Sequence, residues 1–194
     1  MKTTISILLL FAASTWANQK CQMHDGIRMF NGKHCASTTR YNDGHKGACG
    51  CGTNDTPFPW NNNQYVAAAN QKLFSKSGTK WCGDSCGKCV KLTTTGGSIP
   101  GAGTGASAGH SHVFMITNDC PDEAPNMEWC AQKGGPGSKQ TNTHGYEVHF
   151  DLEDNGNQIS KLGWDNPEVT WEWSSCHGSG TPTEQMWHTC ECSK

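Results

Sequence analysis

Alternation of apolar and polar residues predicts β-strands in several segments of the chain. One segment, Asn62 to Phe74, instead repeats Tyr65, Ala69 and Leu73 at four-residue spacing, which predicts a helix with one apolar stripe. The strand segments are 89–94, 112–117, 145–152 and 170–174. Short strands with glycine-rich connections between them favour a small β-barrel.

The segment 96–110 is unusually rich in glycine, with six glycines in fifteen positions. Such a segment has little to bury and much backbone freedom, which is typical of a mobile surface loop. A flap that closes over a binding cleft is the alternative. The pattern alone leaves both interpretations open.

The chain has 194 residues, the length of one ordinary domain, and no internal repeat or linker divides it. Lys2, the apolar run 5–13 and the small residues Thr15 and Ala17 predict a secretory signal peptide over 1–17. We therefore expect a single extracellular domain over 18–194. The formal net charge of -2 gives no attraction to nucleic acid or to an anionic membrane, and no second apolar run is long enough for a membrane span.

The core has to be built from unusual residues, because only 18 of the 177 residues after Ala17 are Leu, Ile, Val or Phe. All twelve cysteines lie in this part, and an oxidising compartment would pair them into as many as six disulfides. Cys86 and Cys89 also fit a zinc or redox motif, while His110 and His112 lack a nearby third ligand. We predict a disulfide-stapled domain that needs no metal and no cofactor.

Two aspartates are candidates for catalysis. The alternation over 146–153 places Asp151 and His149 on the strand face opposite Phe150 and Leu152. Partial burial there would raise the carboxyl pKa, as a general acid requires, whereas a solvent-exposed charged face is the plainer interpretation. Asp43 lies in an Asn-Asp-Gly turn sequence, and periodicity cannot connect it to Asp151.

Ordered sequence blocks span nearly the whole chain after Ala17: Cys35-Ala-Ser-Thr-Thr-Arg-Tyr-Asn-Asp43, Met115-Ile-Thr-Asn-Asp-Cys-Pro121 and Gly145-Tyr-Glu-Val-His-Phe-Asp-Leu152. Together they resemble glycoside hydrolase family 45, the small secreted endo-β-1,4-glucanases, and in particular the animal branch of molluscs and springtails. The resemblance implies a mainly β fold, a six-stranded double-psi β-barrel with a few short helices and long disulfide-stapled loops. It also implies a monomeric cellulase that hydrolyses internal bonds of cellulose and mixed-linkage glucan with inversion.

Roles for individual residues follow from the same resemblance. Asp43 is the general base that activates the attacking water, and Asp151 is the general acid that protonates the leaving oxygen. Asn118 helps to hold the water, or it satisfies a turn at a strand end. The residues expected to bind substrate are Tyr41, Thr39 and His149.

The chain departs from the fungal members of this family at two places. They have Trp-Asp-Cys-Cys where this chain has Asn-Asp43-Gly-His. They also carry a loop aspartate that assists the acid; Asp119 is the nearby candidate here, with a simply exposed position as the alternative. We expect Trp60 to lie in the core rather than against the sugar.

The resemblance also implies six disulfides: Cys21–Cys35, Cys49–Cys86, Cys51–Cys190, Cys82–Cys192, Cys89–Cys176 and Cys120–Cys130. A second function remains open, that of an expansin-like or barwin-like protein that binds wall polysaccharide without cutting it. Those relatives keep the acid motif around Asp151 but generally lack a base at the position of Asp43.

Overall fold

The computed structural model describes residues 19–50, 55–135, 140–188 and 192. Eight strands and four short helices occur in this part of the chain. In order they are β1 (Gln22–His24), β2 (Ile27–Phe30), β3 (Lys33–Tyr41), β4 (Val66–Asn70), α1 (Gln71–Phe74), β5 (Cys89–Ser98), β6 (Ser111–Cys120), α2 (Met127–Cys130), β7 (Val148–Glu153), α3 (Gln158–Lys161), β8 (Pro167–Ser174) and α4 (Glu184–His188).

Six of the strands close into a barrel in the order β3-β7-β4-β6-β5-β8, and β8 pairs back onto β3. The closing pairs are Cys35 with Thr170 and Ala36 with Val169. The pairs β3–β7 and β4–β6 are parallel and the others are antiparallel. β1 and β2 continue the sheet beside β3. The predicted mainly β, six-stranded barrel with a few short helices is confirmed.

The helix predicted over Asn62–Phe74 is wrong, because Val66–Asn70 form strand β4 and only Gln71–Phe74 are helical. β4 lies between β6 and β7, and all five of its residues are buried. Alanine favours a helix in isolation. Its small side chain also fits a central strand that is covered on both faces, and here the hydrogen bonds to two neighbouring strands outweigh the local preference.

The barrel interior is filled by aromatic residues together with a few aliphatic ones. Phe114, Phe150 and Trp164 are almost fully buried. Trp60 is 6% exposed and stacks on Phe58 with 4.5 Å between ring centroids. The prediction that Trp60 belongs to the core is confirmed. Large aromatic side chains thus supply the apolar area that the scarce aliphatic residues cannot.

Five disulfides join pairs that the resemblance implied: Cys21–Cys35, Cys49–Cys86, Cys82–Cys192, Cys89–Cys176 and Cys120–Cys130. The sixth implied pair, Cys51 with Cys190, lies outside the described residues, as does the predicted signal peptide over 1–17. Each helix in the described ranges is too short and too polar to cross a bilayer.

The glycine-rich segment is attached to the barrel. β5 extends to Ser98, so residues 96–98 of this segment belong to a strand and the loop begins after them. The Gly105 amide donates to the Asp165 carbonyl at 2.8 Å, and the Thr104 hydroxyl donates to the Asp165 carboxylate at 2.8 Å. Arg40 on β3 pairs with the same carboxylate at 2.9 Å. These contacts hold the loop against the strand that carries the predicted site.

Candidate active site

The parallel pairing of β3 with β7 gathers the polar side chains of the predicted site. Three pairs face each other across this register: Ser37 with His149, Thr39 with Asp151, and Tyr41 with Glu153. Because alternate residues of a strand point the same way, all six lie on one face of the two strands. The other face of β7 turns Phe150 and Leu152 into the core, as the sequence alternation predicts.

Asp151 sits half-buried on this face. The Thr39 hydroxyl donates to its Oδ1 at 2.6 Å. Burial raises the pKa of Asp151 to about 6, against the lowering effect of the Thr39 hydrogen bond, and the negative charge of Asp43 raises it further. Since Oδ1 accepts from Thr39, the proton of the neutral acid resides on Oδ2. A carboxyl that keeps its proton in mildly acidic solution can act as a general acid.

A chain of hydrogen bonds leads through the protein to Asp151. The Asn142 Nδ2 donates to the Ser37 hydroxyl at 2.9 Å, and Ser37 Oγ lies 2.8 Å from His149 Nδ1. His149 Nε2 lies 3.0 Å from the Thr39 hydroxyl, which donates to Asp151. Because the last bond runs from Thr39 to Asp151, the consistent arrangement has His149 protonated on Nε2 and accepting at Nδ1.

Asn142 fixes the direction of this chain from its far end. Its Oδ1 accepts the backbone N–H groups of His144 and Tyr146, both at 3.1 Å. Its Nδ2 must therefore be the donor to Ser37, and it also donates to the Trp129 carbonyl at 3.1 Å. The orientation of the amide, and with it the tautomer of the histidine, is set by backbone groups.

His149 has 0% of its surface exposed, so it makes no direct contact with a sugar, and the predicted substrate-binding role does not fit. Burial lowers the pKa of His149 to about 3, and repulsion from His144 adds to the effect. The imidazole is therefore neutral in the pH range in which Asp151 titrates. From this position His149 can orient the hydroxyl of Thr39, which is itself half-buried beside Asp151.

Asp43 lies in the exposed turn that follows β3. Its carboxylate accepts the backbone N–H of His45 at 2.9 Å, which is the turn contact that the Asn-Asp-Gly sequence predicts. Its charge raises the pKa of both Asp151 and Glu153, so it faces the same site although it is far from them in sequence. The barrel thus supplies the connection that periodicity could not.

Asn118, near the end of β6, has its side-chain carbonyl occupied by backbone donors. Its Oδ1 accepts from the Ala48 amide at 2.7 Å and from the Asp119 amide at 2.9 Å. Gly47 makes this approach possible, since a Cβ there would overlap the Thr117 carbonyl oxygen. The carbonyl therefore satisfies a turn. The amide NH2 group is the part of Asn118 left to face the site, and it lies beside the Tyr41 hydroxyl.

Tyr41 is half-buried at the end of β3. Burial raises the pKa of its hydroxyl well above the usual range; the charge of Glu153 acts in the same direction and the hydrogen-bonding influence of Asn118 opposes it. The hydroxyl is therefore neutral and lies between Asn118 and Glu153. An aromatic ring with a fixed polar tip suits the sugar-binding role predicted for Tyr41.

Two further carboxyls are more deeply buried than the sequence pattern indicates. Glu153 shares the strand face of Asp151 yet is only 1% exposed. Asp119 is 8% exposed, so the alternative of a simply exposed side chain does not hold. Burial raises the pKa of Asp119 to about 7, with Lys80 lowering it and with Asp122 and Glu123 raising it. The alternation of β7 was a usable signal for Glu153, whereas no local pattern marks Asp119.

Metal-ligating side chains cluster in one place within the described ranges, at Cys120, Cys130 and His149. The two cysteines form a disulfide, so their sulfurs are not free thiolates. His149 already uses both ring nitrogens in hydrogen bonds to Ser37 and Thr39. The cluster is therefore part of the packing behind Asp151.

Comparison with known proteins gives a consistent result. A family model described as EXPB1-like domain 1 matches residues 36–184. An endoglucanase of Mytilus edulis is 48% identical over 182 residues, which are 90% of this chain and 98% of that protein.

Solved structures agree with the sequence matches. The β-1,4-D-endoglucanase Cel45A from the blue mussel Mytilus edulis superposes with a TM-score of 0.80 at 48% identity, covering 89% of this chain and 98% of that one. The GH45 endoglucanase EG27II, solved at pH 8.0 in complex with cellobiose, gives 0.80 at 51% identity, covering 91% and 98%. The family-model match over 36–184 includes the site residues of both strands and the turn that follows β3.

Proposed function

The chain belongs to the endoglucanases of glycoside hydrolase family 45 and is a cellulase with their double-psi β-barrel, and from this premise we propose an inverting mechanism with Asp43 as general base and Asp151 as general acid. One observation carries the assignment. Asp151 is a half-buried, hydrogen-bonded carboxyl that holds its proton up to about pH 6, and the exposed carboxylate of Asp43 is near enough to raise its pKa. Two carboxyls in such different surroundings suit opposite roles.

In the proposed reaction, a water molecule attacks the anomeric carbon from the side opposite the leaving oxygen. Asp43 takes a proton from this water while the new carbon–oxygen bond forms. Asp151 gives the proton on its Oδ2 to the glycosidic oxygen while the old bond breaks. The product has inverted configuration, Asp43 is left protonated, and Asp151 is left ionised.

The hydrogen-bond chain behind Asp151 supports this role. As Asp151 loses its proton, the hydroxyl of Thr39 already points at Oδ1 and stabilises the developing charge. Neutral His149 keeps Thr39 in that orientation by donating from Nε2. Thr39 therefore needs no rearrangement when the proton leaves.

A β-1,4-glucan is the proposed substrate, as cellulose or mixed-linkage glucan. The cellobiose complex of EG27II, at 51% identity to this chain, supports a β-1,4-linked glucose unit in the site. Tyr41, whose hydroxyl feels the charge of Asp151, is the proposed contact to the sugar, and the amide NH2 group of Asn118 is proposed to help hold the attacking water. We propose no role for nucleic acid or a membrane.

The test is the loss of viscosity of carboxymethyl cellulose with the purified protein, beside Asp43→Asn and Asp151→Asn. We expect a rapid fall with the wild type and a loss of roughly 10²-fold or more in each variant. Glu147→Gln is the matched control, since Glu147 is a half-buried carboxylate just before β7 that pairs with His34 at 3.0 Å. Wild-type rates in either aspartate variant would contradict the assignment.

A second measurement separates the stereochemical claim from the residue roles. NMR of the first products formed from a soluble cello-oligosaccharide should show the α-anomer before mutarotation. An initial β-anomer would rule out inversion. Intact viscosity with retained polymer binding by the wild type would instead favour the expansin-like function.

We also propose that the protein is secreted after cleavage behind Ala17 and acts as a monomer. Five disulfides in the described ranges support an oxidising compartment. N-terminal sequencing of the secreted product should begin at Asn18. Sedimentation should give the mass of one processed chain, and a dimer mass would contradict the monomer.

A further inference from the structure

The turn that carries Asp43 is exposed, so burial does not hold it in place. It runs over residues 42–47, between the end of β3 and the buried residue Ala48, and residues 42–45 are exposed. Gly44 takes a φ of +71°, a conformation that glycine adopts readily and that adds backbone freedom. A general base must nevertheless keep its carboxylate in a fixed position toward the attacking water. The contacts that fix this turn therefore bear on the reaction.

Asp55 reaches this turn from a later segment of the chain, and both of its carboxylate oxygens contact it. Its Oδ1 accepts the backbone N–H of Lys46 at 3.0 Å, and its Oδ2 lies 2.5 Å from Nδ1 of His45. The backbone N–H of His45 in turn donates to Oδ1 of Asp43 at 2.9 Å. One carboxylate thus fixes two consecutive residues, and the first of them holds the side chain of the proposed base.

Both sides of this arrangement are anchored in the packed barrel. Three positions after Asp55, the buried ring of Phe58 stacks on Trp60 in the core. Directly after the turn, the backbone N–H of Ala48 donates to Oδ1 of Asn118 at 2.7 Å. Asp55 therefore connects the exposed turn to a segment that the core holds in place.

Charge strengthens the contact between His45 and Asp55. The hydrogen bond with Asp55 raises the pKa of His45, and the charges of Asp55 and Asp43 raise it further. The hydrogen bond from the Lys46 amide lowers the pKa of Asp55, and the one with His45 acts in the same direction. An imidazolium and an ionised carboxylate therefore face each other in mildly acidic solution, where Asp151 keeps its proton. A hydrogen bond between charged groups is stronger than a neutral one.

We propose that Asp55 is a positioning residue for the reaction, which fixes the turn over 42–47 and thereby keeps the carboxylate of Asp43 in place to take a proton from the attacking water. The inference rests on the proposed function of Asp43 as general base. Asp55 acts through His45 and Lys46, because its two carboxylate oxygens contact these residues. Since Oδ1 of Asp43 accepts from His45, Oδ2 is the oxygen that takes the proton of the water.

The experiment compares kcat and KM of Asp55→Ala and the wild type on a soluble cello-oligosaccharide in mildly acidic solution. A base on a loosened turn spends less time in the reactive geometry, so kcat should fall by roughly 10-fold. KM should stay within about two-fold, because the role of Asp55 is to position the base and not to bind the sugar. Asp55→Asn keeps an acceptor for one of the two donors, and its kcat should lie between those of the wild type and Asp55→Ala.

Thermal unfolding separates positioning from a structural role. The ion pair of Asp55 with His45 is exposed on both sides, so the melting temperature of Asp55→Ala should stay within about 3 °C of the wild type. Glu172→Ala is the matched control, since it removes an exposed carboxylate that pairs with Lys33 at 3.1 Å, and its kcat should stay at the wild-type value. An unchanged kcat in Asp55→Ala, a raised KM with an unchanged kcat, or unfolding of both Asp55 variants would each overturn the proposal.

A double variant tests whether Asp55 acts through Asp43. Asp43→Asn has no base to position, so adding Asp55→Ala should lower its residual rate by less than about two-fold. A further loss of roughly 10-fold would mean that Asp55 acts on another group, and it would overturn the proposal.

The single variants keep the two proposals apart. If Asp43→Asn loses activity while Asp55→Ala keeps the wild-type kcat, only the role of Asp55 fails. If Asp43→Asn keeps the wild-type rate, the assignment of the general base fails and the inference about Asp55 fails with it.

Discussion

Thr39 donates its hydroxyl hydrogen to Asp151 Oδ1 at 2.6 Å, across two strands that are paired in parallel and whose facing residues are 112 positions apart in sequence. The same hydroxyl lies 3.0 Å from His149 Nε2. A threonine between a neutral histidine and an acid can stabilise the ionised acid without adding a charge to the site. The proton affinity of Asp151 is thus tuned by two opposing influences, burial and this hydrogen bond.

Replacing Thr39 with valine tests how much the hydrogen bond lowers the pKa of Asp151. The variant keeps the branched shape but removes the donor, so the ionised form of Asp151 is less stable and its pKa rises. We expect kcat to fall by roughly 10-fold and the alkaline limb of the pH profile to move upward. Thr39→Ser should restore both. A downward shift in Thr39→Val would contradict the direction of the hydrogen bond.

His149→Phe tests whether the histidine acts by orientation or by binding sugar. The replacement fills the buried space but cannot donate to Thr39. We expect kcat to fall by roughly 2- to 13-fold, the equivalent of one neutral hydrogen bond, with KM unchanged within about two-fold. Steady-state kinetics on a soluble oligosaccharide measure kcat and KM separately and so distinguish the two roles. A raised KM with an unchanged kcat would return His149 to the substrate-binding residues.

Local pattern was sufficient for much of the barrel. β5, β6, β7 and β8 each carry alternation or an apolar run, and all four were predicted near their observed positions. β4 was missed because its neighbours β6 and β7 come about fifty to eighty residues later in the sequence. A short run of alanines carries no period that distinguishes a helix from a strand buried on both faces.

The site shows the same division between local and long-range information. Alternation correctly placed His149 and Glu153 on the face of Asp151, but it cannot reveal what covers that face. The covering groups come from elsewhere in the chain: Trp129 lies 5.7 Å from the His149 ring, and Asn142 binds Ser37. Burial, and therefore the neutral state of His149, follows from these distant contacts.

Arg40 should stabilise the fold more than a surface ion pair does. It is 30% exposed and pairs with Asp165 at 2.9 Å and Asp154 at 3.6 Å, which connects β3 to two loops. We expect Arg40→Met to lower the free energy of unfolding by roughly 1–2 kcal/mol. Lys33→Met, which removes an exposed pair with Glu172, should cost under about 0.5 kcal/mol. If denaturant titrations gave the two variants equal losses of unfolding free energy, the Arg40 ion pairs would contribute no more than an exposed pair.

Asp119 should make stability depend on pH in a predictable direction. Its pKa is raised from its ordinary value to about 7 by burial, and its Oδ1 has no hydrogen-bond partner in the described part of the chain. Between about pH 4 and 7 the folded state therefore holds a proton that the unfolded state has lost, so stability from this group falls as pH rises and is constant above about 7. Asp119→Asn should match the wild type near pH 4 and be roughly 1–2 kcal/mol more stable near pH 8. Thermal or denaturant unfolding at both pH values measures the difference, and Glu172→Gln, at an exposed carboxylate paired with Lys33, should show none. A stabilisation that is the same at both pH values would mean that the Asp119 carboxyl does not hold its proton in the fold.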